Sequence, residues 1–146
     1  MAVKFKRVKY SSLDSRQQEN FNFQKVSAVL ADYGFVTLRL SADWEGADFI
    51  AQHANGSLFL KVQLKGRLVA DTKYKGKDIW ICFNRSGTWY LYPHDVFLRW
   101  ALANTNIGKT SGWAHQADWE RVSGRYSWPT PSKKLLSWLK TYALAE

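Results

Sequence analysis

Three polar side chains near the middle of the chain, Asp48, Gln63 and Lys65, have the types and spacing to bind a metal ion and act on a phosphate. A carboxylate, a neutral side-chain oxygen and a neighbouring backbone carbonyl suit Mg²⁺, a hard cation that prefers oxygen ligands. A lysine beside such an ion can orient or help deprotonate an attacking water, or stabilise the negative charge that develops on the phosphate. This chemistry requires the chain to bring the three side chains together.

A predicted hairpin would do so. Residues 58–65 alternate in polarity, and Gln63 and Lys65, two residues apart, share the polar face of that strand. Asp48 opens the preceding strand, over 48–53, and Asn55-Gly56 between the two strands is a strong turn signal. Pairing around that turn would bring Asp48 near Gln63 and Lys65. The alternative is a plain amphipathic hairpin with exposed Lys and Gln side chains.

A helix over 15–33 precedes these strands. It carries an apolar stripe with spacings of three and four residues, formed by Phe23, Val26, Leu30 and Tyr33. Ser15 with Gln18 fits a capping box, and Gly34 suits the left-handed position that ends a helix. Glu19 lies four residues before Phe23 and therefore on the predicted buried stripe, where a carboxylate needs a reason.

The remaining pattern indicates strands over 35–40, 79–83 and 89–92 and helices over 93–103 and 132–144. Residues 41–47 are predicted to form a turn or loop, residues 4–9 a basic arm or an edge strand, and 104–125 have no clear assignment. This order of elements predicts an α/β (α+β) fold with a mixed central β-sheet flanked by helices. We expect a single domain over 1–146, with a core over about 15–103 and a C-terminal extension over 104–146 of unknown role.

The central motif resembles the PD-(D/E)XK (restriction-endonuclease-like) nuclease superfamily. In that superfamily an acid begins one strand and an acid-x-Lys follows in the next; Asp48 falls on the first acid and Lys65 on the lysine. Gln63 takes the place of the second acid, a Gln-x-Lys variant that some active branches carry. Many members also place a glutamate on the first helix near the metal, and Glu19 matches that position. Glu45 could stand in as a further acid.

The resemblance is nearest to a small homing-endonuclease-like or resolvase-like branch. It rests on Val62-Gln63-Leu64-Lys65, the basic Arg67, and Tyr90-Leu91-Tyr92-Pro93 before a helix, and it covers roughly residues 15–100. It implies a restriction-endonuclease-like core in which Glu19, Asp48 and Gln63 bind Mg²⁺ and Lys65 assists the water. Mn²⁺ would be able to replace Mg²⁺.

The charge of the chain favours a nucleic-acid partner. Its 146 residues have a formal net charge of +9 and a pI near 9.7, which is typical of a nucleic-acid-binding domain. Arg67, Lys73, Lys75 and Lys77 are predicted DNA phosphate contacts, with a solvated loop as the alternative. Aromatic and basic residues also mix over 113–128, and they could stack on unpaired bases or pack a small subdomain; we favour packing. These residues are Trp113, His115, Arg121, Arg125, Tyr126 and Trp128.

Several other classes of protein are disfavoured. Cys82 is the single cysteine, so an intramolecular disulfide and a multi-thiolate zinc site are excluded, and its apolar surroundings predict burial. His94-Asp95 could form a pH-sensitive pair, although a helix-start cap is the favoured interpretation. No apolar stretch approaches 18 residues and the N-terminus lacks the form of a signal peptide. We therefore expect a cytoplasmic protein that does not enter the membrane.

Together these patterns predict an Mg²⁺-dependent endonuclease that hydrolyses DNA phosphodiester bonds, active as a homodimer or higher homo-oligomer because one small domain carries one site. A catalytically inactive DNA-binding module on the same fold is the first alternative. A protein interaction domain with an incidental basic surface is the second.

Overall fold

A computed structural model describes residues 2–44, 46–114 and 118–145, without the side chains of 42–44 and 114. Glu45, a possible further acid, lies outside the described residues. Within these residues, three α-helices and nine strands follow one another. They are α1 (Ser15–Asp32), β1 (Phe35–Trp44), β2 (Ala47–His53), β3 (Phe59–Leu64), β4 (Leu68–Asp71), β5 (Ile79–Arg85), β6 (Thr88–Pro93), α2 (His94–Asn104), β7 (Trp113–Ala114), β8 (Ser123–Trp128), α3 (Lys133–Lys140) and β9 (Ala143–Leu144).

The N-cap of helix α1 lies one residue earlier than predicted. Asp14, not Ser15, is the N-cap, because its carboxylate accepts from the backbone N–H of Gln17 while the Gln17 side chain accepts from the backbone N–H of Asp14. At the other end Gly34 has a φ of +84°, which confirms its predicted left-handed conformation.

The main sheet has six strands in the order β1-β2-β3-β5-β6-β9. β3 and β5 run parallel, and every other neighbouring pair is antiparallel. The predicted mixed sheet is therefore confirmed. The hairpin at Asn55-Gly56 is confirmed too: β2 and β3 pair antiparallel across it and Gly56 has a φ of +76°.

Both faces of this sheet are covered. On one face α1 contributes Val26 and Leu30 to a core with Phe49, Leu60 and Val62. On the other face, α2, α3 and a small sheet of order β4-β8-β7 build a second core around Tyr92 and Phe97. The alternation of β3 therefore sends Leu60 and Val62 to the core with α1, and Lys61 and Gln63 to the opposite face of the sheet.

Other predictions need correction in detail. β1 continues to Trp44 through the predicted loop, and residues 4–9 form no strand. The last helix ends at Lys140 because Ala143–Leu144 pairs with β6 at the sheet edge. The unassigned stretch contains β7 and part of β8. The burial of Cys82 is confirmed, and burial raises the pKa of its thiol.

The C-terminal segment shares the second core. Trp113, Val122, Leu135 and Leu139 are all buried in the same cluster as Tyr92. Among the described residues, no helix is long and apolar enough to cross a membrane.

Candidate active site

Asp48 joins β2 to the end of β3. Its half-buried carboxylate accepts a hydrogen bond from the backbone N–H of Leu64, with 2.8 Å between Oδ2 and the nitrogen. Phe49 pairs with Val62, and continuing that antiparallel register by one residue sets Asp48 opposite Gln63. Since Phe49 and Val62 face α1, Asp48 and Gln63 belong to the other face of the sheet.

Gln63 presents an unsatisfied oxygen on that face. Its Oε1 atom is buried and has no hydrogen-bond partner among the described residues. A buried polar atom without a partner costs free energy and calls for a bound water, an ion or another group that satisfies it. A cation held together with the Asp48 carboxylate would satisfy it, so the donors present fit a hard metal ion such as Mg²⁺.

Lys65 follows directly after β3. Its backbone N–H donates to the carbonyl of Cys82 at 2.8 Å, which extends the parallel pairing with β5 by one bond. The Lys65 ammonium lies 5.4 Å from the centre of the Tyr74 ring, within cation–π range. The anchored backbone and the ring together fix where the charge of Lys65 is held.

Tyr74 is a site residue that the sequence analysis missed. It is 2% exposed, and burial raises the pKa of its phenol; Lys73 lowers that pKa, while the nearby carboxylates of Asp71 and Asp48 raise it further. Tyr74 therefore lies amid the charged groups of the site. The sequence feature that could have indicated Tyr74 as a site residue is its position between two lysines, Lys73 and Lys75.

The position of the Tyr74 ring also explains why residue 46 is a glycine. Gly46 has a φ of +91°, and a Cβ added there would lie 2.8 Å from a ring carbon of Tyr74. Residue 46, just before β2, can thus be nothing larger without moving the ring.

Glu19 is not on the buried stripe of α1, contrary to prediction. Val26 and Leu30 are buried, but Glu19 is exposed because this part of α1 borders a cavity rather than the core. The cavity has a volume of about 500 Å³, and Glu19, Lys25, Leu64 and Lys65 contribute to its lining. Glu19 therefore shares a cavity with Lys65, from the side of the sheet that α1 covers.

The four predicted DNA contacts lie in different environments. Arg67, Lys73 and Lys77 are exposed, and the Lys73 ammonium lies 5.0 Å from the centre of the Tyr74 ring. Lys75 is half-buried, and its ammonium donates to the carbonyls of Trp119 and Glu120 at 2.6 and 3.3 Å. The geometry favours a structural role for Lys75.

His94 lies behind the loop that carries these lysines. It is fully buried; its Nε2 accepts from the backbone N–H of Asp71 at 3.0 Å, so its Nδ1 carries the proton donated to Asp95, 2.9 Å away. Asp95 in turn accepts from the backbone N–H of Gly76. The predicted helix-start cap is wrong, since Pro93 occupies the N-cap position. The pair instead ties the loop to α2, and burial lowers the pKa of His94.

No cluster of three or more His, Cys, Asp or Glu side chains suited to a metal ion occurs in the part of the chain that the structure describes. The candidate oxygen donors are therefore the Asp48 carboxylate and the Gln63 amide on one face of the sheet. Glu19 lies on the α1 side, in the cavity that Lys65 also lines.

Comparison with known proteins does not assign the chain to a family. No family model matches it, and no curated protein matches it. Among solved structures it is similar to Hjc, a Holliday junction resolvase from Archaeoglobus fulgidus, with 16% sequence identity and a TM-score of 0.42 over 52% of this chain and 72% of the resolvase. The mixed sheet with α1 on one face and α2 and α3 on the other confirms the predicted α/β (α+β) fold class.

Proposed function

We propose that the protein is an Mg²⁺-dependent endonuclease that hydrolyses DNA phosphodiester bonds, with Mn²⁺ able to replace Mg²⁺. The observation that carries the proposal is the buried, unpartnered Oε1 of Gln63 on the same face and at the same level of the sheet as the Asp48 carboxylate. A carboxylate and an amide oxygen are donors that Mg²⁺ accepts, and a bound ion would satisfy the Gln63 oxygen.

In the proposed reaction Asp48 and Gln63 hold the ion on the face of the sheet opposite α1. Glu19, on the α1 side, would have to reach the ion around the end of β3, past Lys65, with which it shares a cavity. A bound divalent ion supplies Lewis-acid stabilisation of the phosphate and a more acidic water. The Lys65 ammonium stabilises the negative charge that develops on the phosphate oxygens, and Tyr74 keeps that ammonium in place. Arg67, Lys73 and Lys77 supply exposed positive charge along the DNA backbone.

Two copies would be needed to cut both strands, because each chain carries one such site. We therefore propose a homodimer or higher homo-oligomer as the active form.

A catalytically inactive DNA-binding module is the second candidate. It is favoured by the small number of acidic donors, since the described residues contain no cluster of three potential metal ligands. In that case the basic surface would bind DNA without turnover.

Nicking of supercoiled plasmid over a titration of Mg²⁺ and Mn²⁺ separates the two candidates. Wild-type protein is expected to nick the plasmid, and a chelator or the Lys65→Ala change is expected to stop it. If wild-type protein binds DNA in a salt-sensitive way but does not cleave it with Mg²⁺ or Mn²⁺, the nuclease proposal fails and the protein is a DNA-binding module.

A further inference from the structure

Residues 2–9, which we call the basic segment, lead directly to the proposed site. All of them are exposed, and none belongs to a helix or a strand. The segment ends at Tyr10, which contributes to the lining of the same cavity as Glu19 and Lys65. The basic segment therefore starts at the edge of the cavity that borders the site.

Tyr10 is held on α1 by three contacts. Its hydroxyl accepts from the side-chain amide of Asn22 at 2.8 Å, and its carbonyl accepts from the side-chain amide of Gln18 at 3.1 Å. Its ring centre lies 5.4 Å from that of Phe21. These contacts fix one end of the basic segment beside the cavity.

The rest of the basic segment has no partner within the described part of the chain. Residues 2–8 form no hydrogen bond, ion pair or ring contact with any described residue. The apolar side chains of Val3, Phe5 and Val8 are exposed as well, Phe5 by 93%. The side chains of the segment are therefore available to a partner outside the chain.

Charge identifies the class of that partner. The basic segment carries four cations and no acid: Lys4, Lys6, Arg7 and Lys9. The first carboxylate along the chain, Asp14, already accepts from the backbone N–H of Gln17. Closely spaced like charges repel one another and are typical of basic segments that bind nucleic acid. The phosphates of DNA supply the opposite charge, and each contact releases condensed counterions.

We propose that the basic segment binds backbone phosphates of a DNA duplex next to the phosphate that is hydrolysed. The adjacency to the hydrolysed phosphate rests on the function proposed above. At about 3.3 Å per residue, residues 2–9 extend up to about 26 Å from Tyr10, which is the rise of about eight base pairs. The segment can therefore follow the DNA backbone for most of one helical turn.

Binding without catalysis tests the segment by itself. The segment variant combines Lys4→Gln, Lys6→Gln, Arg7→Gln and Lys9→Gln. Fluorescence anisotropy with a labelled blunt duplex, in the presence of chelator and at several salt concentrations, would be measured for this variant and for wild type. We expect the slope of log affinity against log salt to fall by about 1.8–3.6, at about 0.9 for each of two to four phosphate contacts.

A matched control removes the same amount of charge elsewhere. The control variant combines Lys109→Gln, Lys133→Gln, Lys134→Gln and Lys140→Gln. These four lysines are exposed and do not line the cavity beside Glu19 and Lys65. We expect the control variant to change the slope by less than about 0.9, the value of a single contact. Circular dichroism would confirm that both variants are folded.

The outcomes separate this proposal from the proposed function. If the slope of the folded segment variant falls by less than about 1.8, or by no more than that of the control variant, the segment proposal is overturned even if the protein cleaves DNA. If the slope falls as expected while wild type never cleaves with Mg²⁺ or Mn²⁺, the basic segment binds DNA and the nuclease proposal fails.

Discussion

The Asp48 carboxylate accepts a hydrogen bond from the backbone N–H of Leu64 at 2.8 Å, so this acid links β2 to β3 and also lies at the proposed metal site. Asp48→Asn separates the two roles, because an amide oxygen can still accept from Leu64 but carries no charge. We expect Asp48→Asn to abolish plasmid nicking with an almost unchanged midpoint of thermal unfolding.

Asp48→Ala serves as the comparison. It removes both the charge and the acceptor, so we expect it to abolish nicking and also to lower the free energy of unfolding by about 1.5–3 kcal/mol. Urea unfolding of the two variants would measure this difference. Nicking that persists in folded Asp48→Ala at the wild-type rate would exclude Asp48 as a metal ligand.

Gln63→Glu tests the unpartnered oxygen of Gln63. An added negative charge next to Asp48 would bind a divalent cation more tightly, and a ligand that binds the folded state raises its thermal stability. We therefore expect a larger increase in melting temperature on adding Mg²⁺ to Gln63→Glu than to wild type, and equal or greater nicking. Without metal, the paired carboxylates should make the variant less stable than wild type. An Mg²⁺-independent melting temperature in both proteins would contradict a metal site here.

Lys65 and Tyr74 form the next testable pair. Lys65→Ala is expected to abolish turnover yet leave the Mg²⁺-induced rise in melting temperature nearly unchanged, because the ammonium is not a ligand. Tyr74→Phe keeps the ring under the ammonium and should nick at close to the wild-type rate. Tyr74→Leu loses a cation–π contact of about 0.5–1 kcal/mol, so we expect a several-fold slower rate at saturating Mg²⁺. Equal rates for Tyr74→Leu and Tyr74→Phe would exclude a positioning role for the ring.

The local patterns of the sequence predicted the elements around the site well. Alternation in 58–65 and the Asn55-Gly56 turn fix a hairpin whose register follows from short-range geometry, so the placement of Asp48 opposite Gln63 could be predicted. Gly34 could be predicted for the same reason, since a left-handed residue at a helix end is a local requirement.

Contacts between distant segments could not be predicted in this way. Tyr74 reaches the site because the loop after β4 folds back against Gly46, just before β2, and Glu19 is exposed where α1 lines a cavity. β9 pairs with β6 over a separation of about fifty residues, and its two residues carry too little pattern to distinguish a strand from the end of α3. Such pairings depend on the whole fold rather than on neighbouring residues.

His94 predicts how stability responds to pH. Burial lowers its pKa in the folded protein from the ordinary value of 6.5, so below that pH the unfolded chain takes up a proton first. Stability should therefore fall as the pH decreases from about 6.5 toward the lowered pKa, by up to about 1.4 kcal/mol per pH unit. Protonation of Nε2 would also break its bond with the backbone N–H of Asp71.

His94→Gln provides the control for this pH effect. Its side-chain oxygen can still accept from Asp71, but the side chain does not titrate. Urea unfolding at several pH values between 4.5 and 7.5, roughly spanning the ordinary histidine pKa, should show a shallower loss of stability in the variant. Identical pH dependence in the two proteins would mean that His94 does not titrate differently on folding.

Lys73 and Lys75 should respond to substitution in opposite ways, although both belong to the same basic loop. Lys73 is exposed, so Lys73→Ala should lower the salt slope of duplex binding by about one and leave stability nearly unchanged. The Lys75 ammonium instead donates to the Trp119 and Glu120 carbonyls and lies 5.2 Å from the Trp119 ring. Lys75→Ala should therefore leave the slope unchanged and cost about 1.5–3 kcal/mol of unfolding free energy.

Measurements of both quantities on both variants decide between the two roles. Anisotropy at several salt concentrations gives the slope, and urea unfolding gives the stability. Lys77→Ala, at an exposed position of the same loop, is the reference: removing a solvated charge should leave stability within about 0.5 kcal/mol of wild type. If Lys75→Ala lowers the salt slope as much as Lys73→Ala without loss of stability, its contacts with residues 119–120 do not persist in solution and Lys75 is a phosphate contact after all.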